Sequence, residues 1–367
     1  MNKPLLLLLF TLAAFPAFTQ NLSAGFRGKE YREMLALDFQ DFDGKVINPA
    51  IPVPPGYTIA YRSGETGLSN SWNMWYRDDH KVAVISIRGT VSALSSWLEN
   101  YYAPMIPATG SLQLTDSTTF NYQLAADVKA HVHAGWVVGL GFLAPSIVEQ
   151  VKKAVAAGIT DFIVTGHSQG GVLATLATSY LHYLIRKGEL PSAIRLKSYC
   201  SAAPKPGNLF YAYDYEFITR NGWGYTVLNT ADWVPETPFS VQTLADFNPL
   251  NPFTDISGLL KKQPFLVRIV LRHKYNKIKR GLHNAQSRFE KDLGGLVYKM
   301  VLKYLPQLRK PVYVSDNNYQ RSGVPVILQP DADYYRQFKD DGTNVFLHHM
   351  FAAYFTLSQK YYGDEQQ

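Results

Sequence analysis

The chain has 367 residues, a formal net charge of +7, nine histidines and one cysteine. The single cysteine, Cys200, excludes an internal disulfide. Neither a zinc-ligand spacing nor a GxGxxG nucleotide-binding loop occurs, so no metal or organic cofactor is expected. The length suits one large α/β domain with insertions or two small domains.

The first 19 residues read as a signal peptide. Lys3 provides a positive start, residues 5–14 are apolar, and residues 17–19 form a small-residue cleavage site before Gln20. The apolar run is too short to span a bilayer comfortably, although an uncleaved anchor remains the alternative. We expect a secreted or periplasmic protein with no transmembrane helix in the mature chain.

Residues 81–89 form a short apolar run that ends at a glycine, which predicts a buried strand. Thr90 follows directly. In folds that carry a nucleophile at the end of a central strand, the loop after an earlier central strand supplies an oxyanion donor. Thr90 lies in such a loop and can offer a backbone N–H and a hydroxyl. The alternative is a turn threonine that caps the next helix.

Residues 162–165 predict another buried strand, and residues 172–186 predict a helix of small and apolar residues. Between them, Gly166-His167-Ser168-Gln169-Gly170 matches G-x-S-x-G, the strand-to-helix turn that exposes a nucleophilic serine. Gly166 and Gly170 leave room for strand and helix to approach. Ser168 is therefore the candidate nucleophile, and the N–H of Gln169 is a candidate oxyanion donor. His167 is expected to be a packing and turn residue.

Residues 223–229 predict a further strand, and Asp232 lies just past its end. An acid at that position can orient a histidine, so Asp232 is the candidate acid of a Ser-His-Asp arrangement. The alternative is an aspartate that caps a loop.

A basic segment follows, with eight Lys or Arg and no acid between Lys261 and Arg280, interleaved with apolar residues. Residues 259–280 can thus make peripheral contact with a lipid surface, or they form a solvated helix or loop. Nucleic acid is not expected as a partner, because no recognition fold accompanies the charge.

Five blocks in this order resemble the class 3 lipases: residues 87–90, 133–136, 166–171, 203–208 and 227–235. This family includes fungal triacylglycerol lipases, plant phospholipase A1 enzymes and diacylglycerol lipases. The resemblance covers about 80–240 and resumes near the C-terminus. It departs from the family at Gln169, where leucine is common, and at residues 203–208, which lack an arginine.

The resemblance implies an α/β-hydrolase fold: a mostly parallel central sheet with helices on both faces. We expect residues 20–367 to form one domain, in which an insertion at about 240–310 makes a helical cap before the catalytic histidine. Residues 319–328 resemble the hairpin that precedes this histidine. His349 and Tyr354 match the family's His-x-x-x-x-Tyr helix start, so His349 is the expected base. His348 is the alternative, and His273 and His283 lie inside the insertion at about 240–310.

The resemblance further implies hydrolysis of lipid esters, acylglycerols first, through an acyl-enzyme. The apolar segments 101–107 and 240–310 are expected to form a lid and a lipid-facing surface. Three alternatives remain: a phospholipase A1, a carboxylesterase of soluble substrates, and a non-catalytic surface-binding protein. The sequence does not indicate an oligomeric state.

Overall fold

The protein is represented by a computed structural model that describes residues 21–40, 50–248, 250–253, 258, 260, 261 and 263–363. The expected signal peptide lies outside these ranges. The α-helices are α1 (Gly28–Asp38), α2 (Leu94–Tyr101), α3 (Ala134–Ala156), α4 (Gln169–Arg186), α5 (Leu209–Ile218), α6 (Phe265–Phe289), α7 (Val297–Val301), α8 (Ala332–Gln337) and α9 (Phe351–Tyr361). The strands are β1 (Tyr57–Arg62), β2 (Trp72–Arg77), β3 (Val82–Ile87), β4 (Met105–Pro107), β5 (Thr109–Gln113), β6 (Thr119–Gln123), β7 (His131–His133), β8 (Asp161–His167), β9 (Arg195–Ser201), β10 (Gly207–Asn208), β11 (Gly224–Asn229), β12 (Tyr319–Gln320) and β13 (Val324–Leu328).

Seven strands form the central sheet in the order β1-β2-β3-β8-β9-β11-β13. The five strands from β3 to β13 are parallel, whereas β1 and β2 pair antiparallel at one edge. In β3, β8 and β11 every residue is buried, which agrees with the apolar runs at their centres.

Alternate residues of the parallel strands enter two separate hydrophobic cores. In β8, Phe162 and Val164 pack into the core beneath α3 and α4, whereas Ile163 packs into the core beneath α1 and α9. This alternation follows from the two-residue period of a strand, and it requires helices on both faces. The predicted α/β-hydrolase fold with a mostly parallel sheet is confirmed.

A second, four-stranded sheet has the order β12-β10-β7-β4. It corrects two expectations. Residues 319–328 do not form a hairpin, because β12 pairs with β10 in this sheet and β13 pairs with β11 in the central sheet. Residues 101–107 are not a free lid, because Tyr102, Met105 and Ile106 are buried in the core.

The segment around 240–310 is largely helical where it is described. It includes α6, a π-helical stretch at Glu290–Leu296, and α7. Val297 and Val301 of α7 are buried in the core, whereas α6 is exposed along most of its length. Among the described residues, one helix, α3, is long and apolar enough to cross a membrane, and 67% of its most apolar stretch is buried inside the protein.

Candidate active site

The turn between β8 and α4 holds Ser168 in a strained backbone conformation, with φ of 61° and ψ of −127°. A Cβ atom on Gly170 would lie 2.1 Å from the carbonyl oxygen of Ile87, and one on Gly166 would lie 2.2 Å from that of Gly170. Any side chain at these positions would therefore push the strand and the helix apart. The two glycines permit the close approach, and the serine takes a left-handed conformation that a non-glycine residue rarely adopts.

Ser168 lies at the wall of a cavity of about 960 Å³. His349, Thr90, Gln169 and His167 line the same cavity, as does the acidic residue Asp38. The rest of the wall is mostly apolar and aromatic, and includes Phe39, Trp97, Tyr101, Trp136, Trp233, Val234, Phe239, Phe289, Leu293, Phe346 and Met350. A largely apolar cavity with a few convergent polar groups is typical of a small-molecule binding site.

Asp232 pairs with His349 beneath this wall. The Nδ1 atom of His349 lies 2.7 Å from Oδ2 of Asp232, and the Tyr354 hydroxyl donates to the same oxygen at 2.7 Å. Oδ1 of Asp232 accepts from the backbone N–H of Val234 at 3.0 Å. The carboxylate thus has a partner on each oxygen, and Nδ1 of His349 carries the proton, which leaves Nε2 able to accept one.

The neighbouring His348 faces elsewhere. Its Nδ1 atom lies 2.8 Å from the Tyr334 hydroxyl, and its carbonyl oxygen accepts from Asn229. His273 and His283 are exposed on α6. Of the four histidines considered from the sequence, His349 is the one whose ring is bonded to Asp232 within the described structure.

His167 supports the His349 loop from behind. Its Nε2 atom lies 2.7 Å from the carbonyl oxygen of His349, so this nitrogen must be the protonated donor. Nδ1 therefore accepts from Ser201 Oγ at 3.1 Å, and Ser201 lies 2.8 Å from the Tyr31 hydroxyl. Burial, followed by the charge of His349, holds the pKa of His167 well below its usual value, so this imidazole stays neutral.

Thr90 and Gln169 are joined through their side chains. The Thr90 hydroxyl donates to Oε1 of Gln169 at 3.0 Å and accepts from Asn100 at 2.9 Å. Ser96 donates to the same Gln169 oxygen at 3.1 Å. Neither the Thr90 nor the Gln169 backbone N–H has an acceptor within the described parts of the chain. These two N–H groups are the candidate donors to a ligand oxygen in the cavity.

Two buried acids near the cavity were not singled out from the sequence. Asp38, at the end of α1, accepts from Ser86 at 2.8 Å and Thr165 at 2.9 Å, and burial raises its pKa well above the usual value. Glu99, on α2, accepts from Asn70 at 2.6 Å, and burial raises its pKa to about 8. Neither belongs to a motif, so only their partners in the fold distinguish them from ordinary helix acids.

No group of three or more His, Cys, Asp or Glu side chains in the described residues could hold a metal ion. The polar groups at this site are instead a hydroxyl, an imidazole paired with a carboxylate, and two unoccupied N–H donors. Together these groups can perform nucleophilic chemistry on a carbonyl.

Comparison with known families gives a match to the model "Lipase (class 3)" over residues 84–242. This match covers less than half of the chain. The matched segment, residues 84–242, contains Thr90, the turn around Ser168, and Asp232, whereas His349 lies beyond its end. A curated relative, "Secreted mono- and diacylglycerol lipase 1" of Fusarium solani, is 32% identical over 169 aligned positions, and the alignment covers 44% of this chain and 47% of the relative. The chain thus spans about half the length of this relative.

Solved structures of lipases are also similar to the chain. The Rhizomucor miehei lipase propeptide complex has 20% identity and a TM-score of 0.42, covering 59% of this chain and 65% of that one. Nonglycosylated Yarrowia lipolytica LIP2 lipase has 16% identity and a TM-score of 0.44, covering 58% of this chain and 74% of that one.

Proposed function

We propose that the chain is a secreted carboxylic ester hydrolase that acts on acylglycerols through Ser168, His349 and Asp232. The observation that carries the proposal is the 2.7 Å contact between His349 and Asp232 at a cavity wall shared with Ser168. The match of residues 84–242 to the class 3 lipase model supports the same assignment. Secretion is supported by the pattern of residues 1–19 and by the word "secreted" in the name of the Fusarium solani relative.

In this mechanism, Nε2 of His349 removes the proton from Ser168 Oγ as that oxygen attacks the ester carbonyl. Asp232 holds the imidazole in the required tautomer and stabilises its charged form. The backbone N–H groups of Gln169 and Thr90 bind the oxyanion, each contributing about 3 kcal/mol by analogy with other acyl-transfer enzymes. His349 then protonates the leaving alcohol, and an activated water molecule hydrolyses the acyl-enzyme.

The volume and the apolar lining of the cavity favour a lipid acyl chain over a compact polar substrate. Its volume of about 960 Å³ and its aromatic wall can bury a long hydrocarbon chain, and each buried methylene contributes about 0.8 kcal/mol to binding. The Fusarium solani relative is named for mono- and diacylglycerols, which makes these the first substrates to test. Phospholipase A1 activity and hydrolysis of soluble esters are the alternatives, and a non-catalytic surface-binding protein is the least favoured.

The proposal is tested by titrimetric assay of the wild type on monoolein, diolein and triolein emulsions, on mixed phospholipid micelles, and on p-nitrophenyl butyrate. Ser168→Ala should lose activity on every ester, whereas the control Ser117→Ala, at an exposed position, should retain it. Greater turnover of acylglycerols than of phospholipids would support the substrate class. Turnover of p-nitrophenyl butyrate alone would instead indicate a carboxylesterase of soluble substrates.

A covalent test separates the nucleophile from the substrate. A fluorophosphonate probe should attach to the peptide that contains Ser168, and the adduct should be absent from Ser168→Ala. A protein that hydrolyses no ester and takes up no probe would overturn the catalytic assignment and leave Ser168 as a turn residue.

A further inference from the structure

Helix α6 is an exposed, strongly basic helix with little cover from the rest of the protein. Its 25 residues contain seven Lys or Arg and no acid. Among its residues, Gln286 alone is buried, and several large apolar side chains face solvent, including Phe265 at 64%, Leu266 at 74% and Ile278 at 64% exposure. So much exposed apolar surface on a charged helix is unusual unless it meets a partner.

The sequence of α6 places its apolar and basic residues on adjoining sides. Val267, Leu271, Tyr275, Ile278 and Leu282 recur at helical spacing and form one stripe. Basic residues flank this stripe on both sides, with Lys274 on one side and Arg268, Arg272 and Lys279 on the other. Lys277 and Arg280 lie toward the opposite face of the helix. In a helix that lies on a bilayer, the apolar stripe enters the acyl region while flanking cations extend to the headgroups.

The first two turns of α6 are apolar on nearly every side. Phe265, Leu266, Ile269 and Val270 are all exposed and lie outside the stripe. Because these side chains surround the helix, they can be buried in a soft lipid phase more completely than against one rigid protein face.

The far end of α6 meets the cavity. Phe289, its last residue, lines the cavity, and so does Leu293 in the π-helical stretch that follows. Trp233, Phe239 and Met350 also line the cavity and are exposed at its rim, with Phe239 at 81% exposure. The basic helix is therefore joined to an apolar rim around the opening.

We propose that α6 docks the protein on an anionic phospholipid bilayer. The occupant is inferred from charge complementarity, since seven cations without an acid match a negatively charged surface, and from the apolar residues between them. This binding goes beyond ester hydrolysis and requires no reaction at Ser168. It would place the apolar cavity rim beside the membrane.

The test is co-sedimentation of the Ser168→Ala protein with phosphatidylcholine vesicles and with vesicles that also contain phosphatidylglycerol. A fluorescently labelled DNA duplex serves as a polyanion control. The first variant carries K274Q, K277Q and R280Q. The matched control carries K81Q, K152Q and K187Q, which remove the same charge from three exposed positions outside α6. A third variant carries L266S, I269S and V270S.

We expect tight binding only to the phosphatidylglycerol vesicles, with binding about 100-fold weaker for the α6 charge variant and unchanged for the matched control. The apolar variant should also bind more weakly. Far-ultraviolet circular dichroism of each variant verifies folding independently of docking and of catalysis. Equal binding to both vesicle types, equal loss in the two charge variants, or stronger binding to DNA than to vesicles would overturn the proposal.

Discussion

The imidazole of His167 donates from Nε2 to the backbone carbonyl oxygen of His349, across 2.7 Å and 182 residues of sequence. The residue before the candidate nucleophile thus holds the loop that carries the candidate base. This bond links the spacing of the candidate nucleophile and the candidate base to the position of one buried ring. His167 is therefore a positioning residue as well as part of the turn.

His167→Ala should lower kcat for p-nitrophenyl butyrate by about 10-fold to 100-fold with little change in KM. The reason is that a misplaced base slows proton transfer but leaves the substrate cavity intact. His167→Gln should restore much of the rate, because the amide of glutamine can donate to the same carbonyl. Wild-type kcat in the alanine variant, with folding verified by circular dichroism, would contradict the positioning role.

Asp232→Asn should reduce kcat by about 10⁴-fold, as the same substitution does in a protease with a Ser-His-Asp triad, because the amide favours the wrong histidine tautomer. Tyr354→Phe is the graded comparison: it removes one hydrogen bond to the carboxylate but keeps the pair with His349. Its loss should stay within about 10-fold. Steady-state kinetics with p-nitrophenyl butyrate measure kcat for both variants. Equal losses of kcat would contradict the roles of Asp232 as the triad acid and of Tyr354 as its supporting donor.

Glu99 should make stability depend on pH. Burial raises its pKa from 4.5 to about 8, so the folded protein holds this proton more tightly than the unfolded chain. The unfolded chain therefore binds fewer protons between these values, and Glu99 lowers the free energy of unfolding as pH rises from about 4.5 to about 8.

The substitution Glu99→Gln removes that titration while keeping an acceptor for Asn70. Urea unfolding at pH 5 and pH 9 should show the variant gaining stability relative to wild type, on the order of a few kcal/mol at the higher pH. A stability difference between the two proteins that is the same at both pH values would show that Glu99 does not titrate in this range.

Gly170→Ala should destabilise the protein by at least about 2 kcal/mol and abolish activity, because its Cβ would lie 2.1 Å from the Ile87 carbonyl oxygen. Gly281→Ala is the matched control. No atom lies within 4 Å of a Cβ at Gly281, which is in α6, so alanine there should be neutral or stabilising by up to about 1 kcal/mol. Thermal unfolding followed by circular dichroism compares them, and equal melting temperatures would contradict the steric argument.

The parallel sheet could be predicted from the sequence because strands buried on both faces carry continuous apolar runs. The turn around Ser168 could be predicted as well, because its glycine pattern reflects a steric requirement. A Cβ atom at Gly166 or Gly170 would lie about 2 Å from a backbone carbonyl oxygen. Residues 319–328 were misjudged because β12 has only two residues, too few to show a period, and its partner β10 lies more than 100 positions away.

The side chains around the site were harder to predict. His348 and His349 are neighbours, and which ring meets Asp232 depends on the 3₁₀ turn Leu347–His349, whose geometry has no clear sequence pattern. Asp38 and Glu99 are acids on helices, which usually face water. Their burial depends on partners such as Thr165, 127 residues from Asp38, and no local pattern encodes that distance.

Cys200 gives the protein a built-in reporter of local opening. It is the one cysteine of the sequence, it is fully buried on β9, and burial raises its thiol pKa to about 11. A thiol reagent can therefore reach it only when β9 separates from its neighbours. Because β9 pairs with β8, which leads into Ser168, the labelling rate measures how often the strands beneath the candidate nucleophile separate.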